Sequence, residues 1–262
     1  MNMSSEHIQA RLHLRAVIPT LVELVAIDET AQKICSDWNF NVCFSSCSGI
    51  KSSLGFQKGA VVASSAADSI SGLKLLFLSD KQVNNLFLKS GLAIPIPVWG
   101  FRHLPTVTSF SKLTDRLEEI LKAPVESLEK DSELLYCYVR LLIQKLIPCA
   151  VTELALHEAE SQQILGLKKG MVQLVVNTPE PTEPIQSWIH IGTQTIHCGV
   201  GIAPQTADFV LIFRNLETAL LSIRNEMDTL AAASGCEVNL QGNIPLGEAV
   251  SLIMERIGIY IS

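Results

Sequence analysis

The feature that most constrains this chain is a similarity between its two halves. The segment IPTLVELVAIDETAQKI, which begins at Ile18, resembles IPCAVTELALHEAESQQI, which begins at Ile147, about 130 residues later. Apolar runs that end at Phe77 and Phe213 are each followed by a helix-capping residue and a helical pattern. These two runs are about 136 residues apart, and a Pro-rich insert, TPEPTEP, accounts for the longer spacing.

A chain of 262 residues is long enough for two domains of ordinary size. We therefore predict two similar units made by internal duplication, residues 1–125 and 126–262. The apolar positions of the closing helices support this division, with Phe110, Leu117 and Leu121 corresponding to Leu246, Ile253 and Ile257. The alternative is a single α+β domain whose helices resemble each other through composition alone.

The sequence predicts the order of strands and helices most clearly between Ala207 and Ile257. Phe209–Phe213 is a short apolar run between polar residues, which is typical of a buried strand. Asn215 is a helix-capping residue type and precedes an amphipathic helical pattern. A second, alternating strand ends at a Gly-containing turn, and Pro245 then opens a helix with apolar residues every three to four positions.

This strand–helix–strand–helix order, opened by the pair Ala207-Asp208 and closed through Gln241-Gly242-Asn243, resembles the C-terminal half of the sterol-carrier-protein lipid-binding domain. The resemblance implies an α+β fold of two tandem units, each a mostly antiparallel sheet with helices packed on one face. It also implies non-enzymatic binding of an apolar small molecule under the last helix, such as a fatty acid, an acyl-CoA or a sterol. It further implies that no cofactor is needed. The first unit lacks the Ala-Asp opening and the Gly turn, so a pocket is less expected there.

Apolar side chains in the second unit are numerous enough to line such a pocket, and methionine adapts its shape to a ligand. The resemblance favours a pocket over ordinary core packing, which is the alternative for each residue taken singly. The predicted ligand-binding residues are Met171, Phe209, Phe213, Leu220, Ile223, Met227, Ile253, Met254 and Ile257.

Composition supports an apolar interior and argues against a nucleic-acid partner. The chain is 48% hydrophobic and 18% charged, whereas a charged fraction near a quarter is usual. The formal net charge is −6, and no cluster of Lys and Arg offers the counterion release on which nucleic-acid binding depends. We therefore expect an apolar small molecule or lipid as partner, with self-association into a homo-oligomer left open.

No uninterrupted run of about 18 apolar residues occurs, so we expect no transmembrane segment. The N-terminal stretch has early polar and acidic residues rather than a signal-type apolar core, and we expect a cytoplasmic protein. The odd cysteine count fits reduced, packed thiols rather than a disulfide framework. The cysteines are Cys35, Cys43, Cys47, Cys137, Cys149, Cys198 and Cys236.

Proline, glycine and charge positions indicate where elements break. Pro19 should break or kink the helical pattern of Ser5–Cys35. Gln57-Lys58-Gly59 reads as a hairpin turn. Ala93–Gly100 contains two prolines, which lack the donor of a central strand, so it should lie at a sheet edge. The charged stretch Ala123–Asp131 is predicted to be a linker.

A hairpin in the second half offers the best candidate for a metal site. If Gly192-Thr193 is a two-residue turn, Trp188 faces His197, and His190 and His197 share one face diagonally. Two imidazoles could begin a zinc site, but no third ligand is visible nearby. We therefore expect a solvated sheet face and no metal.

No other motif predicts catalysis, so we expect a protein that is not an enzyme. Cys43 and Cys47 have the wrong spacing for a zinc or redox pair, and no nucleophile-elbow sequence surrounds a serine. Two alternatives remain open. One is an interaction or oligomerisation module that uses apolar surface around Trp99 and Phe101, and the other is an enzyme that uses a histidine or a thiol.

Overall fold

The computed structural model describes residues 3–63, 72–91, 93–101, 104–193, 195–224, 235 and 237–261. Within this part of the chain two compact units are present, the first ending at Ala123 and the second running from Pro124 to Tyr260. Met227 and Cys236 lie outside the described residues.

The first unit begins with helices, continues with four strands and ends with a strand between two helices. Its helices are α1 (Ser5–Leu12), α2 (Ile18–Ile27), α3 (Glu29–Cys35), α4 (Asp80–Phe87) and α5 (Leu104–Leu121). Its strands are β1 (Asn39–Ser46), β2 (Lys51–Gln57), β3 (Ala60–Ala63), β4 (Gly72–Phe77) and β5 (Ile96–Trp99).

The second unit has the same succession after one additional short helix. Its helices are α6 (Val125–Lys130), α7 (Ser132–Leu141), α8 (Ile147–His157), α9 (Ala159–Leu165), α10 (Leu216–Ile223) and α11 (Ile244–Ile261). Its strands are β6 (Gly170–Val176), β7 (Ile185–Ile191), β8 (Ile196–Val200), β9 (Phe209–Phe213) and β10 (Val238–Gly242). The predicted linker is therefore wrong in part, because α6 forms within it and buries Leu128.

The two sheets have the same topology. Their strand orders are β3-β2-β1-β4-β5 and β8-β7-β6-β9-β10. In each sheet the central pair, β1 with β4 or β6 with β9, is parallel, and the other pairings are antiparallel. Helices α2 and α4 pack on the first sheet, and α8 and α10 pack on the second. The predicted fold class, two α+β units with mostly antiparallel sheets, is confirmed.

Proline is accommodated inside the long helices without ending them. The turns His13–Val17 and Leu142–Leu146 are π-helical, and each runs directly into an Ile-Pro pair, at Pro19 and Pro148. Proline has no N–H and its ring crowds the carbonyl one turn earlier. A π turn lengthens the hydrogen-bonded loop and makes room for the ring. The break predicted at Pro19 is thus replaced by a local π turn.

Several turn and edge predictions are confirmed. Lys58 and Gly59 have positive φ angles of 46° and 85° and join β2 to β3 as a tight hairpin. The Pro-containing strand β5 lies at a sheet edge.

One prediction about the first unit is wrong, because a glycine turn is present there. Gly100 has a φ of 80°, and a Cβ on it would lie 2.3 Å from the Gly72 carbonyl oxygen. Gly242 has a φ of 92°, and a Cβ there would lie 2.1 Å from the Asp208 carbonyl oxygen. Both turns therefore require glycine, and they occupy equivalent places in the two sheets.

The closing helices α5 and α11 correspond one turn away from the predicted pairing. Both contain 18 residues. When they are aligned by their ends, buried Leu113 and Leu117 match buried Ile253 and Ile257, and Arg116 matches Arg256. Apolar periodicity alone does not distinguish registers that differ by one helical turn, because both place apolar residues on the same face.

The helical stretch Ser132–His157, formed by α7, the π turn and α8, is long and apolar enough to cross a membrane by length and composition. Its most apolar 18 residues have a mean hydropathy of 1.5, and 61% of them are buried inside the protein. It is the one helix of this kind in the described part of the chain, and its burial is that of a core helix.

An ion pair fastens the last helix of the second unit. The Arg256 guanidinium on α11 donates to both carboxylate oxygens of Glu158, over 2.8 and 2.6 Å. The Tyr260 hydroxyl donates to the same carboxylate over 2.6 Å, and the Ser161 hydroxyl also donates to it. Burial alone would raise the pKa of Glu158, but these hydrogen bonds and the charge of Arg256 outweigh it and lower the pKa to about 2.

In the first unit an arginine also attaches the last helix to a carboxylate, but the carboxylate belongs to an aspartate instead of a glutamate. The Arg116 guanidinium on α5 donates to the two Asp28 oxygens over 3.2 and 2.9 Å. Asp28 also caps α3 by accepting from the Ala31 N–H over 2.8 Å. In both units, therefore, a bidentate pair ties the last helix to the corner where two earlier helices meet.

A buried histidine distinguishes the first unit from the second. His13, in the π turn, stacks on Phe87 with ring centroids 4.5 Å apart, and its Nδ1 lies 3.2 Å from the Asn84 amide oxygen. Burial, only partly offset by that hydrogen bond, lowers the pKa of His13 to about 4. The equivalent positions of the second unit hold two buried leucines, Leu142 and Leu220.

We predict that the free energy of unfolding of the first unit falls by about 3 kcal/mol as the pH drops from 6.5 to 4. The folded state holds His13 neutral down to about pH 4, whereas the unfolded chain takes up a proton near 6.5. Stability is therefore fully present above pH 6.5 and is lost as the pH falls. Urea titrations at several pH values measure this loss.

The matched control for this prediction copies the second unit. The double variant His13→Leu/Asn84→Leu removes the titrating group and fills its place with the residues found at Leu142 and Leu220. Its stability should change little between pH 6.5 and 5. An equal loss in the wild type and the double variant would contradict the assignment.

We predict that Arg256→Met lowers the free energy of unfolding of the second unit by about 2–3 kcal/mol, because it leaves the buried Glu158 carboxylate without its cation. The double variant Glu158→Gln/Arg256→Met should recover part of the loss, since no buried charge remains. Urea denaturation followed by circular dichroism measures both. An unchanged midpoint for Arg256→Met would show that the pair does not hold the helix.

Candidate functional site

The predicted site begins where Asp208 joins three segments of the second unit. Its carboxylate accepts the Met171 N–H over 2.7 Å, and its own N–H donates to the Met171 carbonyl over 2.8 Å. Its carbonyl accepts the Asn243 N–H over 2.7 Å. Asp208 therefore positions β6, β9 and the turn before α11 through its contacts with the backbone.

An apolar layer extends from this point along β9. Phe209, Leu211 and Phe213 alternate with half-buried residues, so they share one face of the sheet. Strand register places Ser187 on the same face, and its hydroxyl donates to the Ile143 carbonyl over 2.6 Å. This face is therefore the one that the helices cover.

Helix α11 approaches this layer closely at its start. A Cβ on Gly247 would lie 2.2 Å from the Phe209 ring, so a larger residue at this position would force the ring to move. Beyond Gly247 the buried side of α11 is apolar until its C-terminal end. The buried residues of α11 are Leu246, Gly247, Ala249, Val250, Ile253, Ile257 and Tyr260.

The structure brings some predicted site residues together and separates others. Phe209 and Phe213 lie on the helix-covered face of β9. Register places Met171 on the opposite face, beside His190, although its side chain is buried. The remaining described residues lie on helices, where Leu220, Ile253 and Ile257 are buried and Ile223 and Met254 are half-buried.

The open face of the second sheet carries the two histidines in a register that differs from the prediction. His190 pairs directly with His197, and Trp188 pairs with Gly199. The connection is longer than two residues, because the Gly192 N–H donates to the Thr195 carbonyl and β8 starts only at Ile196. The predicted two-residue turn is therefore wrong.

The histidine pair has aromatic rather than metal-binding surroundings. The His190 and His197 ring centroids are 4.7 Å apart, and His197 makes an edge contact with Trp188 at 5.6 Å. Among the described residues, His190 Nδ1 is buried and has no hydrogen-bond partner. In the described residues no group of three or more His, Cys, Asp or Glu side chains could hold a metal ion.

Two clefts open on the second unit near this face. One, of about 620 Å³, is lined by Lys169, Gly170, His190, Ile191, Gly192, Thr193 and Thr195. The other, of about 530 Å³, is lined by Gln173, Gln186 and the stretch 202–207. Both are open to solvent and have peptide and side-chain polar groups in their walls, so they differ from the apolar layer under α11.

A polar cluster in the first unit was missed by the sequence reasoning. Asp80 Oδ2 lies 2.8 Å from His7 Nδ1, while Asp80 Oδ1 accepts the Ser48 hydroxyl over 2.5 Å. Ser46 Oγ lies 3.4 Å from the same oxygen. The carboxylate thus stands between the hydroxyls and the imidazole. This order differs from that of a hydrolase triad, in which the imidazole contacts the serine.

A pair of thiols was also missed. Cys149 on α8 and Cys198 on β8 place their sulfur atoms 3.8 Å apart. Residues 49 positions apart on a helix and a strand carry no spacing signal, so only the packing of α8 on β8 reveals them. Cys43 and Cys47, the predicted C-x3-C, are a half-buried strand residue and an exposed turn residue.

Comparisons with known proteins give similarity at the level of the fold. No protein-family model matches the chain, and no curated protein matches it in sequence. Among solved structures, sterol carrier protein 2 from Yarrowia lipolytica is 11% identical, with a TM-score of 0.32, and the match covers 40% of this chain and 84% of that one.

Two further structures match to a similar extent. A crystal structure of sterol carrier protein 2 is 15% identical, with a TM-score of 0.34 and coverage of 44% of this chain and 94% of that one. Sterol carrier protein domain 2 of Helicoverpa armigera is 12% identical, with a TM-score of 0.33 and coverage of 40% and 80%. The predicted resemblance to sterol carrier proteins is confirmed for the fold of a segment of the chain, and for the fold alone.

Proposed function

We propose that the second unit binds an apolar small molecule without chemical conversion, in the layer between β9 and α11. The proposed ligand classes are fatty acids, acyl-CoAs and sterol-like lipids. The observation that carries the proposal is the way α11 is held. Asp208 and Asn243 fix its beginning, and Glu158 with Arg256 fixes its end. Between these two attachments, its buried side is apolar.

This arrangement suits an apolar ligand. A shift of α11 would separate apolar surfaces without breaking polar contacts in the middle of the helix. Burial of an acyl chain gains about 0.8 kcal/mol per methylene, so a dozen carbons supply roughly 10 kcal/mol before the costs of association. An empty cavity of roughly 300 Å³ would cost about 7 kcal/mol, which is comparable to the stability of a whole domain. Any ligand-sized space should therefore be filled when the protein is purified.

We predict that organic extraction of the purified full chain releases an apolar molecule, which mass spectrometry identifies. A fluorescent fatty acid should bind the extracted and refolded protein with micromolar affinity, since association costs offset part of the burial energy. If extraction yields nothing and the titration shows no binding, the proposal is rejected.

Neighbouring positions on α11 provide a matched pair of variants for the titration. Ile253 is fully buried, whereas Leu252 is 42% exposed. Ile253→Ala removes contacting methyl groups and should weaken fatty-acid binding about tenfold or more, while Leu252→Ala should leave it unchanged. Circular dichroism verifies that both variants are folded. Equal affinities in the two variants would place the ligand elsewhere.

An exposed apolar stripe supports a second candidate function, self-association through the first unit. Ile94, Ile96 and Val98 alternate along the edge strand β5 and its approach, and Trp99 and Phe101 are about three-fifths exposed. Such a contiguous surface is typical of an interaction site.

Under this second candidate, light scattering should show a dimer at micromolar concentration, because the stripe is removed from water on association. The variant Trp99→Ser should be monomeric. Leu167→Ser, which changes an isolated side chain that is 93% exposed, is the control and should behave as the wild type. A wild type that is monomeric at every concentration would reject self-association.

A further inference from the structure

Helix α8 and the edge strand β8 each bring a cysteine to their contact in the second unit. Cys198 pairs with Ile189 across the sheet and therefore lies on the helix-covered face. Cys149 lies on α8, which packs against β8. The two sulfur atoms are 3.8 Å apart, and both side chains are partly exposed.

The separation is close to that of a disulfide. A bonded pair has its sulfur atoms about 2.05 Å apart, so an approach of about 1.8 Å is required. Rotation of the two side chains supplies part of this movement. β8 is an edge strand, hydrogen-bonded to a neighbouring strand on one side only. It can therefore shift towards α8 more easily than a central strand could.

The surroundings make one thiol the nucleophile of the pair. The contact with the Cys149 sulfur lowers the pKa of Cys198, although burial opposes this shift. The Thr152 hydroxyl and the Lys145 charge also lower the pKa of Cys198. The same pairing, together with burial, raises the pKa of Cys149. Of the two thiols, Cys198 is therefore the one that ionises more readily, and the thiolate is the nucleophilic form.

We propose that Cys149 and Cys198 form a dithiol site that a hydroperoxide oxidises to an intramolecular disulfide. The Cys198 thiolate attacks the peroxide oxygen, the O–O bond breaks, and Cys198 becomes a sulfenic acid while hydroxide leaves. Cys149 then attacks the sulfenic sulfur, and the S–O bond breaks as the S–S bond forms. With hydrogen peroxide as oxidant, two thiols and one peroxide yield one disulfide and two waters.

The disulfide would join α8 to the sheet edge and close a loop between residues 49 positions apart. Such a cross-link restricts the unfolded chain and therefore stabilises the second unit. The site is independent of the proposed lipid binding, because it lies at β8, the opposite edge of the sheet from β10, which leads into α11.

The test uses the reduced full chain and one equivalent of hydrogen peroxide at pH 7. Remaining thiols are blocked with N-ethylmaleimide in urea, and the unreduced protein is digested and analysed by mass spectrometry. The expected product is a linked pair of peptides containing Cys149 and Cys198, at least roughly tenfold more abundant than any other pair. The thermal unfolding midpoint of the intact protein should rise on oxidation and return to the starting value after reduction with dithiothreitol.

A matched variant separates this pair from general thiol oxidation. Cys47→Ser removes an exposed cysteine of the first unit and should form the same link as the wild type. Cys198→Ser should form none and show no rise of the thermal midpoint. The proposal is overturned if peroxide leaves both thiols free in the wild type, or converts Cys198 to a sulfinic acid without the link. The wild-type peptide map decides this even if Cys198→Ser does not fold.

Discussion

The architecture of both units depends on a buried carboxylate that holds the last helix. Each sheet has one apolar face, and the closing helix must cover part of it, but apolar packing does not fix a helix along its own axis. The bidentate pairs of Arg116 with Asp28 and of Arg256 with Glu158 do so, because a guanidinium fork fits a carboxylate in one orientation. The glycine turns at Gly100 and Gly242 set the other end of each helix.

The same topology carries different chemistry in the two units. At one pair of equivalent positions the first unit has His13 and Asn84, which hydrogen bond to each other, and the second has Leu142 and Leu220. Because burial lowers the pKa of His13, we expect the first unit to be sensitive to acid, whereas the leucines do not titrate. An apolar pair such as Leu142 and Leu220 is also what we expect beside an apolar ligand. This difference supports placing the proposed lipid site in the second unit.

Two polar clusters in the described residues are arranged differently from a hydrolase triad and from a three-ligand metal site. Asp80 separates the Ser48 hydroxyl from the His7 imidazole, and the pair His190–His197 lies against Trp188. A general base must reach the nucleophile, and a metal ion usually needs three or more ligands. The binding proposal rests on the apolar side of α11 because that surface spans the helix between its two attachments.

The sequence by itself determined what depends on neighbours along the chain. A short apolar run placed β9, a capping asparagine placed α10, and a proline followed by apolar periodicity placed α11. The two prolines of Ala93–Gly100 placed β5 at an edge, and the similarity of the two halves indicated two units of one topology. Only the tertiary structure decided what depends on register. The length of the connection into β8 put His190 opposite His197, and strand pairing turned Met171 away from Phe209. The thiol pair and the two arginine attachments join residues far apart in sequence, and such contacts leave no local pattern because packing alone brings them together.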